Sequence, residues 1–355
     1  MARQGLVDRP ARTVVDAVAL TGGIQAQDLA AARLGIRARA RGLTDAEVTC
    51  ALQVDRSVVR TSAMRATLHL VAAEDASWLA RLFGPVVHSS FATRWRGMGL
   101  DEPLLTRTAE ALPAILSAEP MTRPEIVDAL ARRRLRVPQI DPYAPTHVML
   151  HAIAHGLACR GPDRGREPTF VALSEWIAAG KAAVRPRQLD GDDALAELAR
   201  RYFRAFSPAT ATDFTTWSGL PSRRAIDLIR NELAQVEIGG RPGYQLGEPG
   251  RSRAVRLLPA FDNYVIGYRA REEMIATEHV SAVYVGGVIK PTVVVDGRIA
   301  GTWRLDRSGR NPLAVSVQPF AELPAKVMRE LAADVRDIAA FVDRPAVLTV
   351  AQPDV

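Results

Sequence analysis

The stretch TATDFTTWSGLPSRR, residues 210–224, has the layout of a helix-turn-helix element. A short helix is predicted over 210–217, a glycine-containing turn follows, and a basic helix is predicted from Ser222 to residue 233, with Arg223, Arg224 and Arg230 on it. Helix-turn-helix proteins present a recognition helix in this way. With a preceding helix predicted at 194–206 and a glycine-rich wing tip at 239–243, the segment predicts a winged helix-turn-helix unit.

Two earlier segments repeat this order of elements without obvious sequence identity. In the first segment, helices are predicted at 14–20, 28–34 and 44–54. The third of these helices begins at a capping box formed by Thr44 and Glu47, and a hairpin is predicted over 57–72.

The second segment begins with a helix predicted at 104–116. Thr122 and Glu125 form another capping box, and Thr146 is expected to cap a helix over 147–157. A basic hairpin at 159–173, with its tip at 161–165, completes a second unit.

Beyond Gly250 the pattern changes to β-branched runs of strand length, predicted at 254–258, 282–285, 292–295, 298–303, 314–317 and 346–350. Asp296-Gly297 between two of these runs is a strong hairpin signal, and one amphipathic helix is predicted over 324–342. The predicted fold class is therefore α+β: three tandem winged helix-turn-helix units followed by a β-rich C-terminal domain. The predicted domains are 1–100, 101–183, 190–250 and 251–355, with a charged linker near 184–193.

Charge and composition limit the kinds of molecule that the protein is expected to bind. The chain has 355 residues, a net charge of +7 and a sequence pI near 9.9, which favours a polyanionic partner. Only three of its 46 basic residues are lysines, which fits nucleic-acid binding by arginine and equally fits codon bias in a GC-rich genome. Two cysteines cannot build a disulfide framework. No apolar run approaches the roughly 18 residues of a membrane span. We therefore expect a cytoplasmic protein without membrane attachment.

The heptapeptide GGIQAQD, residues 22–28, is the most unusual local feature. In an extended segment, side chains two residues apart share one side. The Gly-Gly break and a possible helix cap at Asp28 allow such a segment, so Gln25 and Gln27 are expected to converge. Their carboxamides together offer enough donors and acceptors to hold a water molecule. Without further context, two nearby glutamines are most often surface polar residues.

In this setting, Gln25-Ala26-Gln27 resembles the glutamine–aliphatic–glutamine motif of the AlkZ family of bacterial DNA glycosylases. Further segments resemble the family in the same order along the chain: Arg60-Thr61 with MRATLHLV at 64–71, FSPAT at 206–210 with WSGL at 217–220, LPAFDNY at 258–264, and the run from Pro291 through 295–297 to GTWR at 301–304. The family often has a large residue where this chain has Ser62 and a glycine where it has Ala66.

The resemblance implies a monofunctional DNA glycosylase that removes N7-alkylated purines, including bulky adducts and interstrand crosslinks. Such an enzyme serves repair or self-resistance to alkylating agents. Gln25 and Gln27 would be the catalytic residues, positioning and polarising the hydrolytic water. The implied partner is double-stranded DNA with alkylated purines, no cofactor is implied, and we expect a monomer.

Several basic side chains are candidate DNA contacts. On the first hairpin these are Arg60, Arg65 and His69, for which strand packing and solvent-facing charge are equally good explanations. On the second wing they are Arg160, Arg164 and Arg166, with a merely solvated turn as the alternative. On the third helix-turn-helix they are Arg223 and Arg224.

His147, His151 and His155 have a spacing that zinc sites use, but a histidine row in a core or groove is the favoured explanation, and no metal is expected. Asp262-Asn263-Tyr264 is interpreted as a buried turn. Two non-enzymatic functions stay open at this point. They are a winged-helix DNA-binding regulator and a protein-interaction scaffold.

Overall fold

The computed structural model describes residues 1–248, 250, 253–307 and 312–353, in which helices and strands alternate in a mixed α+β fold. The helices are α1 (Val14–Ala19), α2 (Leu29–Arg39), α3 (Asp45–Gln53), α4 (Ala76–Gly97), α5 (Glu102–Ala111), α6 (Arg123–Arg132), α7 (Ala144–Ala154), α8 (Leu173–Ala178), α9 (Gly191–Phe206), α10 (Ala211–Ser218), α11 (Ser222–Leu228), α12 (Asn263–Ile266), α13 (Val280–Val283) and α14 (Ala325–Phe341). The strands are β1 (Ile24–Gln25), β2 (Val58–Ser62), β3 (Leu68–Ala72), β4 (Met121–Thr122), β5 (Ala158–Arg160), β6 (Thr169–Ala172), β7 (Ala234–Ile238), β8 (Arg241–Gln245), β9 (Val255–Leu258), β10 (Tyr284–Val285), β11 (Val288–Ile289), β12 (Thr292–Val295), β13 (Arg298–Asp306), β14 (Leu313–Pro319) and β15 (Ala346–Val350).

By its internal contacts the chain divides into two compact units. The central unit is Thr49–Glu197, and the split unit combines Met1–Val48 with Leu198–Val355. The four-part division made from the sequence follows the order of elements along the chain, and it stays a prediction.

The central unit contains antiparallel strands in the order β3-β2-β5-β6-β4. Both hairpins predicted from the sequence are present: β2 pairs with β3, and β5 pairs with β6. Arg60 and Arg160 are direct neighbours across β2 and β5. The core beside these strands includes Trp95, Leu130 and Val148, buried apolar residues of α4, α6 and α7. The 22-residue helix α4, which contains Pro85, was not predicted.

The two capping boxes identified in the sequence predicted the starts of their helices correctly. Thr44 with Glu47 and Thr122 with Glu125 each form the reciprocal hydrogen bonds of that motif. The predicted cap at Thr146 is wrong, because α7 already begins at Ala144. The hydroxyl of Thr146 instead accepts a hydrogen bond from Arg123, and proline is tolerated in the first turn of this helix.

In the split unit, α9, α10 and α11 follow the predicted order, and Gly219 takes the left-handed conformation (φ 80°) that ends α10. The third helix is shorter than predicted: α11 ends at Leu228, and Arg230 lies in the 3₁₀ turn Arg230–Glu232. A hairpin of β7 and β8 follows, with Gly239 and Gly240 at its tip. That these three segments are winged helices stays a prediction.

The C-terminal part of the split unit is a five-stranded sheet in the order β15-β14-β13-β12-β9. The predicted turn at Asp296-Gly297 joins β12 and β13, both residues having positive φ, and α14 packs against this sheet. The strand predicted at 282–285 is confirmed only for Tyr284 and Val285. Its first half is the end of α13, and β10 pairs only with β11 across a Gly286-Gly287 turn. β-Branched content alone does not distinguish a short helix from a strand when tertiary contacts decide.

Candidate active site and DNA-contact residues

The GGIQAQD segment forms a turn and a short strand, and helix α2 begins directly after it. Gly22 and Gly23 have φ values of 69° and 131°, which residues with a side chain rarely adopt. β1 then covers Ile24 and Gln25, and the Asp28 carboxylate caps α2 by accepting a hydrogen bond from the Ala31 N–H. The extended stretch and the cap expected from the sequence are therefore both present.

Burial ends abruptly along residues 24–27. Ile24 and Ala26 are fully buried in the core, Gln25 is 8 % exposed, and Gln27 is exposed. β1 contains Ile24 and Gln25, and Gln27 lies in the bend that follows it, so the expectation that the two glutamines converge stays a prediction. The small Ala26 fills its buried position completely. The segment therefore places one neutral amide in the buried strand and a second, exposed one two residues later.

A buried turn of the C-terminal part contacts the segment. The Nδ2 group of Asn263 donates a hydrogen bond to the Gly23 carbonyl at 2.6 Å, and its Oδ1 accepts from the Gln25 N–H at 3.5 Å. Asp262 forms a two-pronged ion pair with Arg39 at 2.8 and 2.9 Å. Asp262, Asn263 and Tyr264 are all buried, as the interpretation of a buried turn predicted.

The three candidates on the first hairpin belong to the central unit, whereas Gln25 and Gln27 belong to the split unit. Their closeness to the glutamines therefore stays a prediction. Arg60 is half-buried on β2. Arg65 is half-buried on the turn with a left-handed backbone (φ 56°), and burial lowers its pKa to about 10.

His69 is buried and uncharged. Burial, and secondarily the charge of Arg65, lowers the pKa of its imidazole to about 3. Its Nδ1 lies 2.9 Å from the Thr67 carbonyl oxygen, which can only accept, so Nδ1 carries the proton. The ring can therefore offer a neutral acceptor at Nε2, but at neutral pH it has no positive charge for a phosphate.

On the second wing, two of the three arginines have acidic partners. Arg160 pairs with Asp163 at 3.0 Å, and Arg164 pairs with Glu125 at 2.7 Å. Arg166 is exposed. On the third segment, Arg223 and Arg224 lie exposed in the first turn of α11. An existing ion pair must be broken or shared before DNA can use the same guanidinium, so Arg160 and Arg164 are weaker phosphate ligands than their exposure suggests.

The histidine row has aromatic neighbours. The Trp95 Nε1–H donates to His147 Nδ1 at 3.0 Å, and His151 stacks against His155 with ring centres 4.1 Å apart. Burial lowers the pKa of His151 to about 4. Across the described part of the chain, His, Cys, Asp and Glu side chains form no group of three or more that could hold a metal ion.

Sequence reasoning missed an exposed arginine cluster between α6 and α7. Four of the five residues at 132–136 are arginines with exposed side chains, and Ile140 and Tyr143 follow with 77 % and 61 % exposure. Arg133 donates a hydrogen bond to the Ala114 carbonyl. Within the described ranges, Arg132, Arg134 and Arg136 form no ion pair with an acidic side chain. The signal was present in the sequence as the densest run of arginine in the chain.

The chain matches the protein-family model "DNA glycosylase AlkZ-like" over residues 18–341. It belongs to the AlkZ-like DNA glycosylase family. An interstrand DNA cross-link repair glycosylase of Streptomyces sahachiroi is 30 % identical, the alignment covering 94 % of this chain and 93 % of the relative. The solved structure of Streptomyces sahachiroi DNA glycosylase AlkZ matches with a TM-score of 0.81 and 26 % identity, over 98 % of this chain and 97 % of that one.

Membership of the AlkZ-like family identifies the protein as a monofunctional DNA glycosylase of DNA repair, acting on DNA. The regulator and the scaffold considered from the sequence are not favoured. Within the described ranges, every helix falls short of the length and hydrophobicity that a bilayer crossing requires.

One departure from the AlkZ-like pattern has a structural consequence. Ala66, which stands where the family often has glycine, takes a left-handed backbone conformation with φ 59°. A left-handed residue with a side chain costs about 1–2 kcal/mol relative to the right-handed form, and glycine avoids that cost. Ser62, the other departure, is buried at the end of β2.

Proposed function

We propose that this enzyme hydrolyses the N-glycosidic bond of N7-alkylated purines in double-stranded DNA, including bulky adducts and interstrand crosslinks. The observation that carries the proposal is the segment 24–27, in which the buried residues Ile24 and Ala26 flank Gln25, and Gln27 is exposed to solvent. The Streptomyces sahachiroi relative is an interstrand DNA cross-link repair glycosylase, which supports the crosslink part of the proposal.

The chemistry suits two neutral amides. Alkylation at N7 makes the purine cationic, so the electron pair of the breaking C1′–N9 bond flows onto a base that is neutralised as it leaves. The barrier then falls mainly when the sugar oxocarbenium is stabilised and a water molecule is aimed at C1′. The carboxamide oxygens of Gln25 and Gln27 accept hydrogen bonds from that water, and their dipoles favour the developing cation. The water oxygen bonds to C1′, and its proton passes to solvent.

A carboxylate in place of either glutamine would be a stronger base, but a cationic leaving group makes a strong base less necessary. The products are the free alkylpurine and an abasic site, and the DNA strand stays intact. Self-resistance to a DNA-alkylating agent, or repair of such damage, is the physiological role that follows. We place the enzyme in the cytoplasm and take the monomer as its working form.

We propose that the three helix-and-hairpin segments are winged helices that bind the DNA duplex. Proposed DNA contacts from the predicted set are Arg60, Arg65, His69, Arg160, Arg164, Arg166, Arg223 and Arg224. To these we add Arg132, Arg134 and Arg136. Their guanidinium groups are exposed, and the described residues offer them no acidic partner, so a phosphate would not have to compete.

The decisive experiment follows release of N7-methylguanine from a duplex with the enzyme in excess. Alkaline cleavage at the abasic site gives the rate. Gln25→Ala with Gln27→Ala should lower the single-turnover rate by at least about 100-fold and change the Kd for the duplex by less than about twofold.

Gln53→Ala with Gln139→Ala is the matched control, because both glutamines are exposed and lie outside the motif. Excision at the wild-type rate by the Gln25/Gln27 double variant would refute the roles assigned to the pair. A wild-type protein that binds the duplex without releasing any base would favour the regulator instead. Conversion of a crosslinked duplex into separable strands tests the crosslink substrate.

A further inference from the structure

We propose that Asn263 is a positioning residue that fixes Gln25 in its catalytic orientation, an inference that rests on the proposed role of Gln25. Asn263 lies 238 residues from Gln25 in the chain, on the first turn of α12, and nothing in the glutamine motif itself points to it. Its side chain is 1 % exposed, so it neither contacts solvent nor has room to bind DNA.

The Asn263 amide bridges the two peptide groups on either side of Ile24. Its Nδ2 donates to the Gly23 carbonyl, and its Oδ1 faces the Gln25 N–H. The orientation of the amide is fixed, because Gly23 offers only an acceptor and Gln25 only a donor at these points. The side chain therefore acts as a short strand partner for β1 at the residue that carries the first catalytic carboxamide.

The backbone before Gln25 needs such a partner. Gly22 and Gly23 both have positive φ, and glycine loses more conformational freedom on folding than any other residue. The Gly23 carbonyl also accepts a hydrogen bond from the Thr21 hydroxyl at 3.0 Å, a bond within the same turn, whereas Asn263 ties this turn to a distant part of the chain. A displacement of about 1 Å at a catalytic group can cost about 100-fold in rate.

Asn263 is itself held rigidly by its neighbour. Asp262 caps the same turn by accepting from the Tyr264 N–H at 2.9 Å and makes its two-pronged ion pair with Arg39. Arg39 is the last residue of α2, the helix that starts directly after the glutamine motif at the Asp28 cap. One buried chain of contacts, Arg39–Asp262–Asn263–Gly23, thus joins the start of the motif to the end of α2.

Asn263→Asp tests the bridge with almost no change of shape. One carboxylate oxygen can still accept from Gln25, but the other now repels the Gly23 carbonyl instead of donating to it. We expect the single-turnover excision rate at pH 8 to fall about 10- to 100-fold, with the Kd for the lesion duplex within about twofold of wild type. Asn231→Asp, the same change at an exposed asparagine, should leave both values unchanged.

The pH profile separates positioning from general damage. Burial and the facing carbonyl both favour the protonated form of an aspartate at position 263, and that form again donates to Gly23. The rate deficit of Asn263→Asp relative to Asn231→Asp should therefore shrink as the pH falls from 8 to about 5.5. A deficit that stays constant with pH would overturn the bridging role. Asn263→Ser, which lacks both the reach and the charge, should lose rate at every pH, and it decides the matter if Asn263→Asp does not fold.

A double-mutant cycle with Gln25→Ala completes the test. If Asn263 acts through Gln25, then adding Asn263→Asp to Gln25→Ala should cost no further rate. If the losses in excision rate multiply in the double variant, or if Asn263→Asp alone excises at the wild-type rate, the positioning role of Asn263 is overturned. The proposed role of Gln25 is unaffected by either result. Wild-type rate in Gln25→Ala would instead overturn the proposed role of Gln25 itself.

Discussion

Arg39 and Asp262 form an ion pair in which neither side chain is exposed to solvent, with nitrogen–oxygen distances of 2.8 and 2.9 Å. The pair joins the end of α2 to the turn that precedes α12, and Asn263 at the start of α12 contacts the glutamine motif. The same few buried polar groups therefore join α2, the turn before α12 and the glutamine motif.

Removing one partner of this pair should destabilise the fold strongly. Asp262→Ala leaves the Arg39 guanidinium buried without its counter-charge, which typically costs about 3–5 kcal/mol. Chemical unfolding of the variant and wild type measures the difference. Glu330→Ala, which breaks the exposed Lys326–Glu330 pair at 3.9 Å, should change the free energy of unfolding by less than about 0.5 kcal/mol. Equal losses in the free energy of unfolding for the two variants would show that the buried Arg39–Asp262 pair contributes no more to stability than an exposed pair.

Restoring glycine at position 66 should stabilise the protein. Ala66→Gly relieves a left-handed alanine, and the net gain is about 0.5–1 kcal/mol after the extra freedom of glycine in the unfolded chain is subtracted. Ala333→Gly, at an exposed position inside α14, should lose about 1 kcal/mol. Thermal unfolding of both variants compares the signs, and a destabilised Ala66→Gly would contradict the backbone explanation.

The loop arginines should contribute to DNA affinity through counterion release. Arg134→Gln with Arg136→Gln should weaken binding and reduce the slope of log K against log salt by about 1.8, since each phosphate contact contributes about 0.9. Arg329→Gln with Arg336→Gln, two exposed arginines of α14, should leave the slope unchanged. Fluorescence anisotropy at several salt concentrations gives both slopes. An unchanged slope for the Arg134/Arg136 variant would remove the loop from the DNA interface.

Buried His69 should make the stability of the fold depend on pH. Its pKa is lowered to about 3 in the folded protein, so between about pH 3 and 6.5 the unfolded chain binds the extra proton and stability falls as the pH falls. At pH 5 the loss from this one group is about 2 kcal/mol relative to pH 7. His69→Gln should therefore lose less stability than wild type on going from pH 7 to pH 5, as chemical unfolding at both pH values measures. Parallel losses would mean that His69 is not buried in its neutral form.

Much of the glutamine segment was predictable because its signals are local. The Gly-Gly break and the Asp28 cap act over a few residues, and both appear as expected. The hairpins and both capping boxes were predictable for the same reason. The N-cap predicted at Thr146 is wrong because any threonine close to a helix start resembles an N-cap in the sequence. The helix begins two residues earlier, at Ala144.

The long-range contacts around the candidate site could not be predicted from local sequence patterns. Asn263 bonds to Gly23 across 240 residues of sequence, and no spacing rule connects the two. The arginine cluster before α7 was visible in the sequence. Only the structure shows that, among the described residues, Arg132, Arg134 and Arg136 have no acidic partner, whereas Arg160 and Arg164 are paired. Long-range polar contacts of this kind were left undetermined by the sequence, as were elements such as α4.

The central chemical claim is that two uncharged amides suffice when the departing base is cationic. N7-methylguanine and O6-methylguanine carry the same methyl group on different atoms, and only the first is positively charged. With enzyme in excess over matched duplexes, we predict release of N7-methylguanine at least about 1,000-fold faster than release of O6-methylguanine, with comparable binding of the two duplexes. Equal release of the neutral isomer would contradict the mechanism.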